Sequence, residues 1–375
     1  MSETVGVLGS SGTIGHCVVE KLLNAGINVL GGQRSKNTMF DGCGKFGYVR
    51  TDISDEESLA EFCRQCSIVI NCISPAYIYG NVTAKAAAEA GAVYIDGVDV
   101  IDDKSGLPTD GVYIKAGGYV PGLSEFIPLS VAKKEFDAFE RAVIYQGGTE
   151  LCSDAAFADI ILSAGVSGYG DSFFCEGNVK PFRSRINSRC ELAGFDKTVM
   201  LKAYLGNEML HLGKKADLKR LYWFNAYEEM RIIKLLMDSM RISSGLDKKQ
   251  SAEKIIGYVK AERDKLTRHN DIYSVLGMEL HGKKDGKDKY IQTVLHLKDS
   301  SHMCGYMLAE TALSVLKKTP SSGIYCAYEL IDDDYLYRIK DELSDGESFT
   351  IKEIPTEQAI LADKNEKGIL QCSQY

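Results

Sequence analysis

The sequence predicts an α/β protein: a doubly wound parallel sheet, then a second, α+β domain built on an antiparallel sheet. Three observations predict it. A glycine-spaced segment, VGVLGSSGTIG (residues 5–15), sits directly behind a short apolar run. Short β-rich and helical segments alternate through the first third of the chain. Beyond Phe136 that alternation stops, and a hairpin and long amphipathic stretches replace it.

Each element can be argued in order. Residues 4–8 read as a buried strand, and from 13 to 25 the apolar residues Ile14, Val18, Leu22 and Leu23 recur at helical spacing. Gly26 follows where a helix C-terminus favours glycine. Strand, glycine turn and helix are the order that a Rossmann-type dinucleotide loop needs. In that reading Gly9 permits the tight turn, Gly12 lets the backbone approach a diphosphate, and Gly15 allows close packing of the helix. Ser10, Ser11 and Thr13 add hydroxyl donors, and the helix N-terminus attracts the anion. A plain βα turn of small residues is the alternative.

Residues 28–31 form the second strand, followed by GQRS. Many dinucleotide folds place a carboxylate here, about 20 residues beyond the glycines, to bind the ribose 2′-hydroxyl. Gln33 and Arg34 stand there instead. A guanidinium suits a 2′-phosphate and stacks on adenine, so NADP(H) is expected in preference to NAD. A merely solvated strand-end charge is the other reading of Arg34. FGYVRTD (46–52) is a third strand, 55–65 a polar helix, and SIVINCIS (67–74) a buried fourth strand broken by Pro75. Ser74 and Pro75 lie at its carboxyl end, where open α/β sheets bind ligands. An alanine-rich helix (81–90), VYID (93–96) and VYIKAGGYVPG (112–122) continue the pattern into a helix over 122–136.

In the second part, ERAVIYQGG (140–148) reads as an isolated strand and 154–164 as a helix. Leu221, Phe224, Met230, Ile233 and Leu236 predict one long amphipathic helix over 218–240. A lysine-rich helix is expected over 251–268, with acids such as Glu253 and Glu262 marking a solvated face rather than a nucleic-acid surface. Residues 272–297 form a hairpin about KKDGKD. A helix over 301–316 and a strand over 323–331 close the pattern. The expected division is 1–123 for dinucleotide binding, 124–301 for substrate binding and dimerisation, and 302–375 as a C-terminal segment returning to the first domain.

Tyr77, Asp99 and Tyr119 fall just beyond strand ends and His302 opens the returning helix, making them substrate-side candidates. His302 reads either as a proton donor or as a structural histidine. In PFRSRINSR, Arg183, Arg185 and Arg189 share parity. They would bind a substrate carboxylate if inward and be solvated if outward.

Composition narrows the field. With 375 residues the chain is long enough for two domains, and a net charge of -8 argues against nucleic acid or an anionic membrane as the main partner. No apolar run approaches the ~18 residues of a membrane span. No basic-then-apolar leader opens the chain, so a cytoplasmic setting is expected. The 11 cysteines follow no disulfide framework. Cys63 and Cys66 form a C-x-x-C without the further ligands of a zinc site, so no metal is expected. A redox pair and simple core fillers are the two readings of it.

GSSGTIG, GQRS, DISDEESL, VINCISP, YIDG and GGYVPGLSE, taken together and in order, resemble the N-terminal domain of the saccharopine dehydrogenase-like reductases. The resemblance covers about the first 130 residues. It implies Gly9 to Ile14 at the diphosphate, Arg34 and Ser35 at the 2′-phosphate, and Asp52 and Ile53 beside adenine. Ser74 and Pro75 would meet the nicotinamide-side ribose, and the turn from Gly118 to Leu123 the nicotinamide, although Tyr119 and Val120 occupy a part of it that members vary. It also implies a homodimer and an NADP-dependent oxidoreductase that reduces the C=N of an amine- or amino-acid-derived substrate. A trans-acting enoyl reductase acting on an activated C=C and a non-catalytic NADP-binding sensor are the alternatives. A tyrosine–lysine dyad is excluded, since none of the 20 tyrosines has lysine four positions on.

Overall fold

The computed structural model describes residues 3–36, 39–101, 105–163, 167–182, 189–266 and 272–360. The chain divides into two compact units, the first made of Met1–Leu123 and Ser300–Asp332, the second of Ser124–Asp299 and the residues from 333 on.

The first unit runs β1 (Thr4–Leu8), α1 (Thr13–Asn24), β2 (Asn28–Gln33), β3 (Phe46–Arg50), α2 (Glu56–Cys63), β4 (Ile68–Asn71), α3 (Ala76–Glu89), β5 (Val93–Asp96) and β6 (Val112–Lys115). In the second unit follow α4 (Leu123–Glu135), β7 (Ala138–Gly148), α5 (Asp154–Ser163), β8 (Gly168–Gly170), β9 (Ser172–Cys175), β10 (Asn178–Pro181), β11 (Arg189–Cys190), β12 (Val199–Gly206), α6 (Asn207–Lys215), β13 (Arg220–Tyr227), α7 (Met230–Ser243), α8 (Lys248–Leu266), β14 (Ser274–Lys284) and β15 (Lys287–Leu297). The chain then re-enters the first unit with α9 (Ser300–Lys317) and β16 (Gly323–Cys326), and ends in the second with β17 (Ser348–Glu353).

All seven strands of the first sheet are parallel, in the order β16-β6-β5-β4-β1-β2-β3. Strand order reverses between β1 and β4, which leaves a crevice at their carboxyl ends. β1 and β4 are buried on both faces, as a covered parallel sheet requires. On one face Leu59, Phe62, Ala84 and Ala87 from α2 and α3 pack on Leu8, Val69 and Tyr94. Elsewhere in the unit α9 packs along α1, with the Lys21 ammonium 5.0 Å from the Tyr306 ring and 4.0 Å from Glu310.

The second sheet is mixed. Its order is β10-β9-β13-β7-β14-β15-β17, with β12 joining β13 and carrying β8 and β11. β13 runs parallel to β7 and the remaining pairs are antiparallel. The hairpin between β14 and β15 turns on Asp285 and Gly286, whose φ values of 50° and 74° are both left-handed. That is the backbone a two-residue Asp-Gly turn adopts.

Four expectations need correction. Residues 218–240 are not one helix: Arg220–Tyr227 is β13, and helix starts only at Met230. Leu221 and Trp223 face one side of the strand while Tyr222, Phe224 and Ala226 join the core on the other, so a run buried on both faces mimics helical spacing. The 140–148 strand is central rather than isolated, flanked by β13 and β14. The C-terminal segment returns to the first unit only over Ser300–Asp332, because β17 pairs with β15 in the second. Its predicted strand over 323–331 stops at Cys326, where a 3-10 turn begins.

Among the described residues no helix is long and apolar enough to cross a membrane. Phe62 is fully buried, its ring lying against the backbone of Gly6 and Gly32. Phe62→Ala is expected to lower unfolding free energy by ~3–5 kcal/mol, read from the midpoint of a denaturant titration followed by circular dichroism.

Candidate dinucleotide site

The site is built where β1 ends. Val5, Val7 and Leu8 are fully buried, and Gly9 turns the chain away with φ of 77°. Its N–H donates to the Gly32 carbonyl at 2.8 Å, and Gly12 N–H donates back to the Gly9 carbonyl at 2.9 Å. A Cβ at Gly15 would lie 2.1 Å from that same carbonyl oxygen, so α1 can start this close to the loop only with glycine there. At Gly12 the crowding is mild, with Gly9 O at 3.2 Å and space beyond. The absence of a side chain at Gly12 therefore matters for what approaches from outside.

Gly12 caps α1 without a side chain, and no acidic residue stands in the first turn. His16 N–H makes the first helical bond, to Gly12 O at 3.0 Å. The amides of Thr13 and Ile14 thus lie in the helix's unpaired first turn, at its positive end. This cradle fits a diphosphate. Ser11 and Thr13 are exposed beside it, but Ser10 is buried. The Ser10 hydroxyl, expected as a phosphate donor, donates instead to Gln33 Oε1 at 3.1 Å.

Gln33 ties the loop to the end of β2. Its Oε1 also accepts from Ser11 N–H at 2.8 Å, while its Nε2 donates to the Ser35 carbonyl at 2.8 Å. Arg34 and Ser35 are exposed just beyond. Asp52 accepts from the Ser54 hydroxyl at 2.7 Å and the Ser54 N–H at 3.0 Å. Those bonds, then the charges of Arg34 and Arg50, hold its carboxyl below the usual range. Ile53 beside it packs against the core of the first unit.

The loop after β4 lies against Gly9, where a Cβ would sit 3.0 Å from Cys72 O and 3.1 Å from Ile73 Cγ1. Its shape is set by side chains that sequence reasoning missed. Asn71 Oδ1 accepts from Ile73 N–H at 3.1 Å, and Asn71 Nδ2 donates to Asp96 Oδ2 at 2.9 Å. The Tyr94 hydroxyl donates to the same oxygen at 2.5 Å, and Val98 N–H to Asp96 Oδ1 at 3.1 Å. Burial pushes the Asp96 carboxyl up against the opposite pull of these bonds, and pushes the Tyr94 hydroxyl well up too. The signal was visible: a polar residue closing an otherwise apolar strand in both IVIN and VYID. Ser74 and Pro75 follow in this loop, with Pro75 capping α3.

The other candidates disperse over separate segments. Asp99 is ion-paired with Lys115 at 2.7 Å, a group that also donates to Ile101 O. Tyr119 is buried in the turn where Gly118 N–H meets Pro121 O at 3.0 Å. Tyr77 sits half-buried in the first turn of α3, and His302 lies edge-on to Tyr306 in α9, with ring centres 5.7 Å apart. Arg189 donates to the carbonyls of Thr198 and Glu228, both at 2.9 Å, which rules against its role in a carboxylate-binding row. Arg183 and Arg185 lie outside the described residues. Cys63 and Cys66 are buried in the core, and burial pushes both thiols up to about 12. Thiols so rarely ionised make poor redox nucleophiles. Among the described residues no three His, Cys, Asp or Glu side chains converge to hold a metal ion.

Comparison with known proteins agrees with this geometry. Residues 5–111 match the family model described as the saccharopine dehydrogenase NADP binding domain. Over 105 residues the chain is 33% identical to a lipid droplet localized protein of Caenorhabditis elegans, a match covering 24% of this chain and 25% of that protein. The fold is similar to apo saccharopine dehydrogenase (L-Glu forming) of Saccharomyces cerevisiae, with a TM-score of 0.62 at 14% identity over 94% of this chain and 100% of that one. It is also similar to the homospermidine synthase of Legionella pneumophila, solved with NAD, with a TM-score of 0.52 at 13% identity over 94% of this chain and 92% of that one.

The two glycines separate packing from binding. Gly12→Val is expected to lower the unfolding free energy by only ~1 kcal/mol while abolishing NADPH binding. Gly15→Val is expected to destabilise the fold itself. Paired thermal melts and calorimetric titrations of the two variants check both outcomes.

Proposed function

We propose that this chain, whose first unit carries a nucleotide-binding domain of the saccharopine dehydrogenase-like type, is an NADP-dependent reductase of the C=N bond in a small amine- or amino-acid-derived substrate. The observation that carries this reading is the end of β2. Gln33 is engaged in holding the glycine loop, and the exposed Arg34 stands where a carboxylate would select NAD. A guanidinium fork matches a 2′-phosphate, and the nearby Asp52 already has its charge met by Ser54.

NADPH, when bound, supplies the hydride. The chain's own contribution is binding and orientation. The first turn of α1 holds the diphosphate, with Ser11 and Thr13 beside it, and Gly12 admits it to the backbone. Arg34 and Ser35 meet the 2′-phosphate, Asp52 and Ile53 border adenine, and Ser74 and Pro75 meet the second ribose. The 118–123 turn, with Tyr119, lies toward the nicotinamide, and Tyr77 and His302 are the remaining substrate-side groups.

A protonated imine accepts hydride without a strong general acid. That suits a site whose carboxyls are engaged, Asp99 with Lys115 and Asp96 with Asn71 and Tyr94. The fold likeness to saccharopine dehydrogenase and homospermidine synthase extends across both units and supports a second unit devoted to substrate. A cytoplasmic homodimer completes the reading, supported by free thiols among the described residues and by the family resemblance.

The test is NADPH oxidation, followed at the reduced-nicotinamide absorbance, with a panel of amine and oxo-acid pairs and a parallel panel of 2-enoyl thioesters. Turnover with an amine pair supports the reading. Turnover with the thioesters alone overturns the imine assignment, and tight NADPH binding without any turnover makes the protein a sensor. Arg34→Ala is expected to weaken NADPH at least ~10-fold while changing NADH less than ~2-fold by calorimetry. Equal losses would show that Arg34 does not read the 2′-phosphate.

A further inference from the structure

In the second unit, α7 and α8 form a helical hairpin joined by a short turn at Leu246. Leu235 and Ser239 are the buried side of α7, and Ala252, Ile255 and Val259 that of α8. The Tyr258 hydroxyl of α8 donates to Asp238 of α7 at 3.0 Å, and the Ser251 hydroxyl to the Ser243 carbonyl at 3.2 Å. The hairpin is therefore held from within.

Its outer side is unusual. Met230 is 49% exposed, Met237 65%, Met240 46% and Leu246 39%, four of the ten large apolar side chains exposed among the described residues. At 100° per residue, Leu236, Met240, Ile233, Met237 and Met230 fall in one sector of α7. Arg241 and Lys234 fall in the sector beside it. Over residues 230–254 six lysines and arginines face three acids, in a chain whose net charge is -8. Two of those acids are engaged: Asp238 with Tyr258 and Arg241, and Asp247 with the Gln250 N–H of α8 at 2.9 Å. Lys248 and Lys249 are exposed at the hairpin tip next to Leu246.

We infer that this hairpin docks peripherally on an anionic phospholipid surface, with the methionine strip entering the acyl boundary and Lys234, Arg241, Lys248 and Lys249 meeting the headgroups. Unbranched methionines adapt to a fluid, irregular medium. An apolar strip edged by cations on one exposed helix is the arrangement that lies in a membrane interface. A second copy of the chain fits less well, because a two-fold contact here brings the same cationic strip against itself. The overall acidity that disfavours an anionic partner for the whole chain does not hold for this face.

The test is co-flotation of the full chain with phosphatidylcholine vesicles, with and without phosphatidylserine, alongside light scattering for oligomeric state. The wild type is expected to float with the anionic vesicles only, and less so as salt rises. Met237→Glu with Met240→Glu, and separately Lys234→Glu with Arg241→Glu, should each cut the floated fraction at least ~10-fold. An unchanged circular dichroism spectrum and an unchanged thermal midpoint in both variants serve as the check on folding. Flotation indifferent to phosphatidylserine, or unaltered in either variant, overturns the proposal. So does a wild-type dimer that Met237→Glu with Met240→Glu splits without altering flotation, which would make the strip a contact between copies.

Discussion

The carbonyl oxygen of Gly9 governs the first unit. It accepts the Gly12 N–H and lies where any side chain at position 15 would begin, so it fixes both the turn after β1 and the start of α1. Once the helix begins there, its unpaired amides face the crevice left by the reversal of strand order. The neighbouring loop, by way of Cys72 and Ile73, closes on Gly9 from the other side. A cradle of a shape that fits a diphosphate is thus a by-product of how tightly a helix can be set against the strand before it.

Two side-chain networks stiffen the rim of that cradle, one half-exposed and one buried, and the buried one keeps its polar groups in hydrogen-bonding company. On one side the Gln33 carboxamide gathers Ser10, Ser11 and Ser35. On the other, Asp96 gathers Asn71, Tyr94 and Val98. Such networks are costly when half-satisfied and rigid when complete. A preorganised rim suits a protein whose task is to hold a large cofactor in one orientation, and the chemistry is then left to the cofactor.

How legible this was depended on local versus non-local information. The glycine loop, the parallel order and the Asp-Gly hairpin are short-range features, and Gly9, Gly12, Gly15 and Gly286 announce them in a few residues. The β13 segment was misread because LYWFNAY is buried on both faces, and burial alone carries no period. The contacts of Gln33 were hidden for a different reason. Its position at the strand end was clear, but a glutamine that reaches back over more than 20 residues to a serine hydroxyl leaves no trace in spacing. Asn71 and Asp96, 25 residues apart, were legible only as polar endings of apolar strands, with nothing to say that they meet. The destination of β17 was equally hidden, since a strand's partner is chosen by the whole sheet.

The first unit is interrupted: its sheet waits for β16, and α1 for its neighbour α9, until the entire segment 124–299 has been made. On the ribosome β6 therefore emerges with one flank bare, a ready-made edge for stray pairing. The intervening unit is interrupted in turn: besides the β17 edge, it waits for Asp333, which takes Ser130 and Lys133, for Tyr335, which packs on Phe126, and for Ile354 and Ala359 in its core. Each unit is thus closed by chain made after part of the other, so neither can finish in simple head-first order and both are completed only near the end of synthesis.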